Sequence, residues 1–160
     1  MRQIIPIILF GLLVMVGCST LDCPLNNTVY TTYKLDGNVK QLTGCYMTVS
    51  TTKRNGEDSI LINKQENTDS FSLPMSYILD EDTLYFDVVD AYEREFKDTV
   101  TVAKENHPHF ESIDCSASYF HTITGVKTTH NLIDSIVINH KDVNFDATKA
   151  HFLIYFGTRE

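Results

Sequence analysis

The feature that most constrains the fold is a series of short segments in which apolar and polar residues alternate. Alternation with a period of two is typical of β-strands, because successive side chains point to opposite faces of a sheet. We predict about nine such strands, separated by turn residues, and no amphipathic helix of ten or more residues. They are Thr28–Leu35, Cys45–Thr52, Ser59–Asn63, Ser70–Tyr77, Thr83–Val89, Thr99–Ala103, Tyr119–Val126, Ser135–Asn139 and Phe152–Phe156. This pattern predicts an all-β fold, an antiparallel β-sandwich that is immunoglobulin-like or a relative.

Three segments also carry a prediction of their place in the sandwich. Pro74 removes a backbone donor, so the strand that contains it is expected at a sheet edge or a bend. Arg54-Asn55-Gly56 has the composition of a hairpin turn. The final strand, His151–Phe156, is apolar on both faces, which predicts a central position in a sheet.

The N-terminus has the composition of an export signal. Met1–Gln3 supplies a positive charge, Ile4–Val16 is apolar, and the small residue Gly17 precedes Cys18. The apolar run is shorter than the roughly 20 residues that a membrane-spanning helix needs. We therefore expect residues 1–17 to be a signal peptide, residues 18–27 a lipidated N-terminus and tether, and residues 28–160 a single domain.

The segment Met15-Val16-Gly17-Cys18 resembles the lipobox of bacterial lipoproteins, with methionine in place of the usual leucine. The resemblance implies that the Cys18 thiol is diacylated, that the chain is cut before it, and that the new amine is acylated. Several acyl chains make such an anchor effectively permanent. Ser19 follows the cysteine, not the aspartate that retains enterobacterial lipoproteins in the inner membrane, so by analogy the destination is the outer membrane. The alternative is an ordinary signal peptide that is cleaved without lipidation.

The charge of the chain excludes two kinds of partner surface. Its 13 Lys and Arg stand against 21 Asp and Glu, for a net charge of −8. Removing Arg2 with the signal leaves 12 Lys and Arg, and the net charge becomes −9. Such a chain repels nucleic acid and anionic headgroups. We therefore expect no nucleic-acid partner, and attachment to the membrane through the lipid on Cys18.

Three cysteines remain after Cys18 in an oxidising compartment. Cys45 begins a strand and can serve as a small core residue, whereas Cys23 and Cys115 lie in polar, turn-like contexts. We therefore favour a Cys23–Cys115 disulfide, which would close a loop of about ninety residues and contribute about 4 kcal/mol on the chain-entropy model. Pairings that use Cys45 stay open.

A tripeptide of Asp, Ser or Thr, and an aliphatic residue occurs four times at the start of predicted strands. A structural explanation suffices, because Asp can close the preceding turn and Ser or Thr can begin the strand. The tripeptide also resembles the acceptor motif for O-glycosylation in Bacteroides-type bacteria, where modification is reserved for exported proteins. If the aliphatic residues point inward, the hydroxyls point outward and are accessible to a glycan. The candidate acceptors are Ser59, Thr83, Thr99 and Ser135.

His107-Pro108-His109 places two imidazoles at i and i+2, where they would share one face of a strand and could ligate a metal. Pro108 favours a loop instead, and the sequence offers no third ligand. His121 and His130, on either side of Gly125, are candidates of the same kind. Surface histidines with ordinary partners are the favoured explanation, and we expect neither a metal nor a cofactor.

The segment Asp142–Asp146 has the opening spacing of a calcium-binding loop. Ala147 replaces the required glycine and Leu153 the bidentate glutamate, so the segment is not an EF-hand. The sequence contains no glycine-rich phosphate loop and no Gly-x-Ser-x-Gly elbow. Cys45 or Cys115 beside a histidine would form a nucleophile pair, but export to an oxidising compartment argues against a free thiol. We predict no catalytic residue.

Four features together resemble a known family. They are Cys23-Pro24-Leu25, the Asp-Ser-Ile strand beginnings, His109-Phe110-Glu111-Ser112 before Asp114-Cys115, and the closing strand His151–Phe156. The chain resembles small uncharacterised lipoproteins of Bacteroides-type gut bacteria, classed as a domain of unknown function, over essentially the whole mature chain. The resemblance implies a location and no activity, ligand or catalytic residue.

The leading hypothesis is a non-enzymatic, lipid-anchored module on the outer membrane that binds a protein or a glycan, or assists envelope assembly, through its sheet edges or loops. An adhesin or pilus-like subunit is the first alternative, and it predicts a groove left by a missing strand. A hydrolytic enzyme is the second, and it predicts a pocket in which carboxylates meet a histidine. The histidines concerned are His107, His109, His121 and His130.

Overall fold

The computed structural model describes Cys23 and residues 28–157. The predicted signal peptide, the predicted lipobox with Cys18, and most of the predicted tether lie outside these residues. The described part of the chain contains ten strands and no helix. It therefore contains no helix that is long and apolar enough to cross a membrane.

The strands are β1 (Tyr30–Asp36), β2 (Tyr46–Thr52), β3 (Asp58–Glu66), β4 (Ser70–Pro74), β5 (Glu81–Val89), β6 (Glu95–His109), β7 (Ser118–Thr128), β8 (Ile133–Ile138), β9 (Asp142–Val143) and β10 (Phe152–Phe156). They form a four-stranded sheet with the order β4-β1-β10-β8 and a six-stranded sheet with the order β3-β2-β5-β6-β7-β9. All pairings are antiparallel except that of β1 with β10. The predicted all-β sandwich is confirmed.

Two predictions of strand position are also confirmed. Strand β4, which ends at Pro74, lies at the edge of the four-stranded sheet, and β10 lies inside that sheet between β1 and β8. The predicted hairpin turn joins β2 to β3, where Gly56 has a φ of +83° and Lys53 N–H donates to the Glu57 carbonyl at 2.8 Å. A positive φ is readily adopted only by glycine, which explains the residue at this position.

The core lies between the sheets and follows the predicted alternation. Tyr33 is stacked between Phe71 and Phe152, with ring centroids 5.2 and 4.7 Å away. The inward positions of the other strands supply aliphatic residues, so that the two sheets share one buried layer. Buried apolar residues of the six-stranded sheet are Met47, Val49, Leu84, Phe86, Val88, Val100, Val102, Ile123 and Val143.

The prediction of a loop at His107-Pro108-His109 was wrong, because these residues belong to strand β6. Strand β6 runs for 15 residues, as far as His109. Its pairing with β5 stops at Ala103, whereas its pairing with β7 continues. The Lys104 N–H donates to the Asp80 carbonyl at 2.8 Å, and beyond it no strand of the described chain pairs with this side of β6. A proline without a backbone donor is tolerated there. The two-residue strand β9 was too short to be predicted.

One end of the sandwich carries the attachment of the N-terminal segment. Because neighbouring strands are antiparallel, this end contains the start of β1 and four loops. The loops are 53–57, 75–80, 110–117 and 139–151. Cys23 is joined here to Cys115, with their Cα atoms 5.5 Å apart, which is the pairing favoured from the sequence. Cys45 is a free, half-buried thiol. We call this end the tether end.

At the opposite end, one buried carboxylate holds the chain where it crosses from one sheet to the other. Asp98 on β6 is 3% exposed, and its oxygens accept hydrogen bonds from Thr129 Oγ1 and from the backbone N–H groups of Asn131, Leu132 and Ile133 at 2.7–2.8 Å. Burial opposes the charge, but these hydrogen bonds outweigh it and lower the pKa of Asp98. The carboxylate thus fixes the β7–β8 connection.

Asp98→Asn is expected to reduce the free energy of unfolding by about 3 kcal/mol, because an amide nitrogen would face backbone donors. The control Asp134→Asn changes an exposed residue on β8 and should alter stability by less than about 0.5 kcal/mol. Urea denaturation of the two variants measures the difference. Equal stabilities would contradict the assignment.

The stability that Asp98 contributes should also depend on pH. Its pKa is lower in the folded protein than the ordinary value of 3.8, so its contribution is complete above pH 3.8 and is lost as the pH falls through the folded pKa. The wild type should therefore lose more stability than Asp98→Asn on acidification. Parallel pH profiles of the two proteins would disprove this.

Candidate functional site

The six-stranded sheet contains a lysine whose side chain is completely buried. Lys104 on β6 has a side chain that is 0% exposed, and its Nζ lies 2.9 Å from Asp82 Oδ2 on β5. The same Nζ donates a hydrogen bond of 2.8 Å to the Leu79 carbonyl. A buried ammonium without such partners would be strongly destabilising. Burial raises the pKa of Asp82, and the hydrogen bond and charge of Lys104 offset only part of this effect.

These polar groups fix the β4–β5 loop, residues 75–80. The Leu79 carbonyl accepts a second hydrogen bond, from Asn106 Nδ2 at 3.1 Å. Asp82 Oδ2 accepts one from the Ser76 N–H at 3.2 Å. The beginning of the loop is therefore held by the contact of Ser76 with Asp82, and its end by the contacts of Leu79 with Lys104 and Asn106. The side chains in its middle, Tyr77 and Ile78, are exposed.

The same loop forms one wall of a cavity of about 400 Å³ at the tether end. Tyr77 of the loop, which is 58% exposed, stacks on Tyr119 of β7 with ring centroids 4.9 Å apart. The cavity is lined by Thr28, Val29, Met75, Tyr77, Ala117, Tyr119 and His121. Its volume lies within the range of ligand sites. We call it the tyrosine cavity.

His121 is the polar residue deepest in this cavity. Its Nδ1 lies 2.8 Å from Asn106 Oδ1, and because the Asn106 amide nitrogen already donates to Leu79, the histidine nitrogen must be the donor here. Burial, and then the positive charges of Lys104 and His107, lower the pKa of His121 to about 4. The imidazole is therefore neutral at neutral pH, with Nε2 as an acceptor.

The other predicted histidine candidates do not join His121 in one site. His107 lies 3.2 Å from Thr122 Oγ1, and His109 lies 3.0 Å from Glu111. His130 is at the opposite end of the sandwich, where its Nδ1 contacts the Asp134 carbonyl at 2.7 Å. Within the described residues, no group of three His, Cys, Asp or Glu side chains is arranged to hold a metal ion.

The segment with calcium-loop spacing uses its polar side chains to close its own turns. Asn144 Oδ1 accepts a hydrogen bond from the Asp146 N–H at 2.7 Å, and Asp146 Oδ1 accepts one from the Thr148 N–H at 3.0 Å. These are Asx turns. The side-chain oxygens of Asn144 and Asp146 therefore accept hydrogen bonds from the turns of the segment itself.

The four candidate acceptor hydroxyls are all half-buried, and they differ in orientation. Thr83 and Thr99 each lie between inward-facing neighbours, so their hydroxyls face outward. Ser135 precedes Ile136, which packs against the core. Ser59 is the exception, because the following Ile60 is 62% exposed. The hydroxyl of Ser59 therefore faces the inner side.

The sequence analysis singled out neither Lys104 nor the two tyrosines. A signal for the lysine was present, because it continues the series of alternate positions that begins with the inward residues Val100 and Val102. An inward lysine requires an acidic or carbonyl partner. The partner itself, on a loop 25 residues earlier, could not be identified without the strand pairing.

Lys104→Met is expected to cost about 3 to 5 kcal/mol of stability, because Asp82 would remain buried without its counter-ion. The double variant Lys104→Met/Asp82→Leu should regain most of this loss, because two apolar residues replace the whole pair. Urea denaturation compares the two proteins. A double variant that is less stable than Lys104→Met would contradict the assignment.

Searches of curated proteins and of solved structures found no match. A family of unknown function, DUF6452, matches residues 46–156, the region from β2 to β10 that contains the buried ion pair and most of the tyrosine cavity. Kinship with a domain of unknown function was expected and is confirmed. Since the match covers more than half of the 160 residues, this protein belongs to the DUF6452 family.

Proposed function

We propose that this protein is a lipid-anchored, non-enzymatic binding or assembly module of the bacterial outer membrane. Its anchor is Cys18, and its binding surface consists of the tyrosine cavity and the outer side of loop 75–80. The observation that carries this proposal is the use of a buried ion pair to hold a loop whose outward side chains are apolar and exposed. The partner is an envelope protein or a glycan.

The loop has the properties of a preorganised recognition surface. Tyr77, Ile78 and Leu79 are 58%, 57% and 49% exposed, so they add little to the core. The backbone that carries them is already fixed by Lys104 and Asp82. Because this surface is already ordered, it loses little conformational entropy when a partner binds. Tyrosine is also among the residues that contribute most to binding interfaces.

A binding role fits the groups around the cavity better than hydrolysis does. Only one of the four candidate histidines, His121, lines the tyrosine cavity. Its ring nitrogen contacts the amide of Asn106 and not a carboxylate. Asp82 is engaged by Lys104 and by the Ser76 N–H. These groups position a loop, and they do not form a nucleophile with its base.

The adhesin alternative requires a sheet with an unfilled strand position. In the described residues both sheets are continuous, and the first and last strands, β1 and β10, pair directly. Two of the edges are poor acceptors for an added strand, since β4 ends in Pro74 and β9 has only two residues. Strand β6 has an open side beyond Lys104, but Pro108 lies in this stretch and has no backbone donor for an added strand.

Lipidation predicts a defined mass for the native protein. Intact mass spectrometry of protein from its own host should give residues 18–160 plus a diacylglyceryl group and one N-acyl chain. Cys18→Ser should lose the acyl groups and leave the membrane fraction, whereas the control Cys45→Ser should keep both. A wild-type mass without acyl groups would disprove the anchor.

We also propose that at least one of Ser59, Thr83, Thr99 and Ser135 carries an O-glycan. The outward hydroxyls of Thr83 and Thr99 favour these two positions. The same mass spectrum tests the proposal, because a glycan adds hexose units beyond the acyl groups. A mass without hexoses would rule it out.

The binding surface can be tested by crosslinking the lipoprotein in intact cells and identifying captured neighbours. Tyr77→Ala should lose at least about tenfold in capture of the partner, as expected for removal of an interface tyrosine. Tyr92→Ala is the matched control, because Tyr92 is 82% exposed and lies at the opposite end of the sandwich. Equal capture by both variants would contradict the proposed surface.

A further inference from the structure

We propose that the tether end of the sandwich rests on the lipid surface, with Phe110 and Ile113 of the β6–β7 loop in the headgroup layer. This inference deepens the proposed function and rests on the lipidation of Cys18. It follows from where the disulfide attaches the anchor, from which residues lie around that point, and from how exposed they are.

The disulfide shortens the connection between lipid and domain. Cys18 is five residues before Cys23, so the two Cα atoms can be at most about 18 Å apart. The Cα of Cys23 is 5.5 Å from that of Cys115. Without the disulfide the anchor would join the domain only at Thr28, ten residues on, at a distance of up to roughly 36 Å. The disulfide thus halves the connection and keeps the Cα of Cys115 within about 24 Å of that of Cys18. Loop 110–117 is therefore tied closely to the anchor.

The loop beside Cys115 presents apolar side chains that the fold does not use. Ser112–Cys115 forms a turn, closed by the Cys115 N–H and the Ser112 carbonyl at 3.2 Å, and Ile113 at its tip is 98% exposed. Such turn positions favour Asp, Asn, Gly and Pro over isoleucine. Phe110, in the same loop, is 64% exposed. These two side chains are free to enter an apolar phase.

Other exposed apolar residues are concentrated at the same end. The tether end carries Tyr30, Tyr77, Ile78, Leu79, Phe110, Ile113 and Phe145. The loops of the opposite end contribute Tyr92 alone among the large exposed apolar residues of the described chain. An asymmetry of this kind marks an interaction surface. Tyr77, Ile78 and Leu79 belong to the surface proposed above for the partner, and the short connection to Cys18 assigns Phe110 and Ile113 to the lipid.

The charges of the tether end determine how deeply the domain enters the lipid layer and which headgroups it prefers. Glu111 and Asp114 flank Ile113, and both are exposed. Carboxylates are costly in the acyl region and are repelled by anionic headgroups. The domain therefore rests in the headgroup layer of zwitterionic lipid, and the tyrosine cavity meets its partner close to the membrane.

The experiment uses the absence of tryptophan from the chain. The lipidated variants Ile113→Trp and Phe110→Trp, and the control Tyr92→Trp, each carry one tryptophan at an exposed position. Each is reconstituted in vesicles of phosphatidylethanolamine and phosphatidylcholine, with or without brominated phosphatidylcholine. The tryptophans at positions 110 and 113 should show a blue-shifted emission and lose fluorescence to the brominated lipid, whereas that at position 92 should do neither.

Flotation of the same vesicles separates failure of this inference from failure of the proposed function. If the proteins float with the vesicles and the three tryptophans are quenched equally, the anchor stands and the proposed orientation is wrong. If the proteins do not float, the anchor itself is wrong, and the orientation falls with it. Quenching at positions 110 and 113 without quenching at position 92 supports the proposal.

Discussion

A lysine ammonium inside a β-sandwich must be neutralised and hydrogen-bonded, and in this protein that requirement determines the shape of the candidate site. Lys104 meets it with the Asp82 carboxylate and the Leu79 carbonyl. Both lie in or next to loop 75–80, so the loop is fixed by the same contacts that make the buried charge tolerable. The position of Tyr77 against Tyr119, and with it one wall of the tyrosine cavity, follows from the position of the loop.

Inward-facing aspartates that fix a loop also account for two of the four tripeptides in which Asp precedes Ser or Thr and an aliphatic residue. In Asp82-Thr83-Leu84 and Asp98-Thr99-Val100 the aspartate and the aliphatic residue are on the inner face, as the alternation requires. Asp82 holds the loop at the tether end, and Asp98 holds the crossover at the opposite end. Asp58 and Asp134 are exposed. Two of the four tripeptides thus carry loop-fixing aspartates, and the glycan hypothesis concerns the hydroxyl on the other face.

Much of the fold could be predicted from the sequence, because alternation and turn residues are local signals. The core positions of β1 and the edge position of β4 follow from such signals. The Cys23–Cys115 pairing was favoured by them, but pairings with Cys45 stayed open. The parallel pairing of β1 with β10 could not be predicted, since it joins residues more than a hundred positions apart. The order of the strands could not be predicted either, because it depends on pairings between strands that are separated in sequence. The tyrosine cavity was missed for the same reason, because Tyr77 and Tyr119 meet only once β4 and β7 are placed.

The central claim is that the buried ion pair, and not local sequence, orders the loop that we propose as the recognition surface. Amide hydrogen exchange of residues 76–80 in the wild type and in Lys104→Met/Asp82→Leu tests it most directly. In the double variant, exchange of these amides should accelerate while the amides of β6 and β7 keep their protection, because the apolar pair preserves the core. Unchanged protection of the loop in a folded double variant would show that the loop is ordered without the ion pair, and would contradict this account.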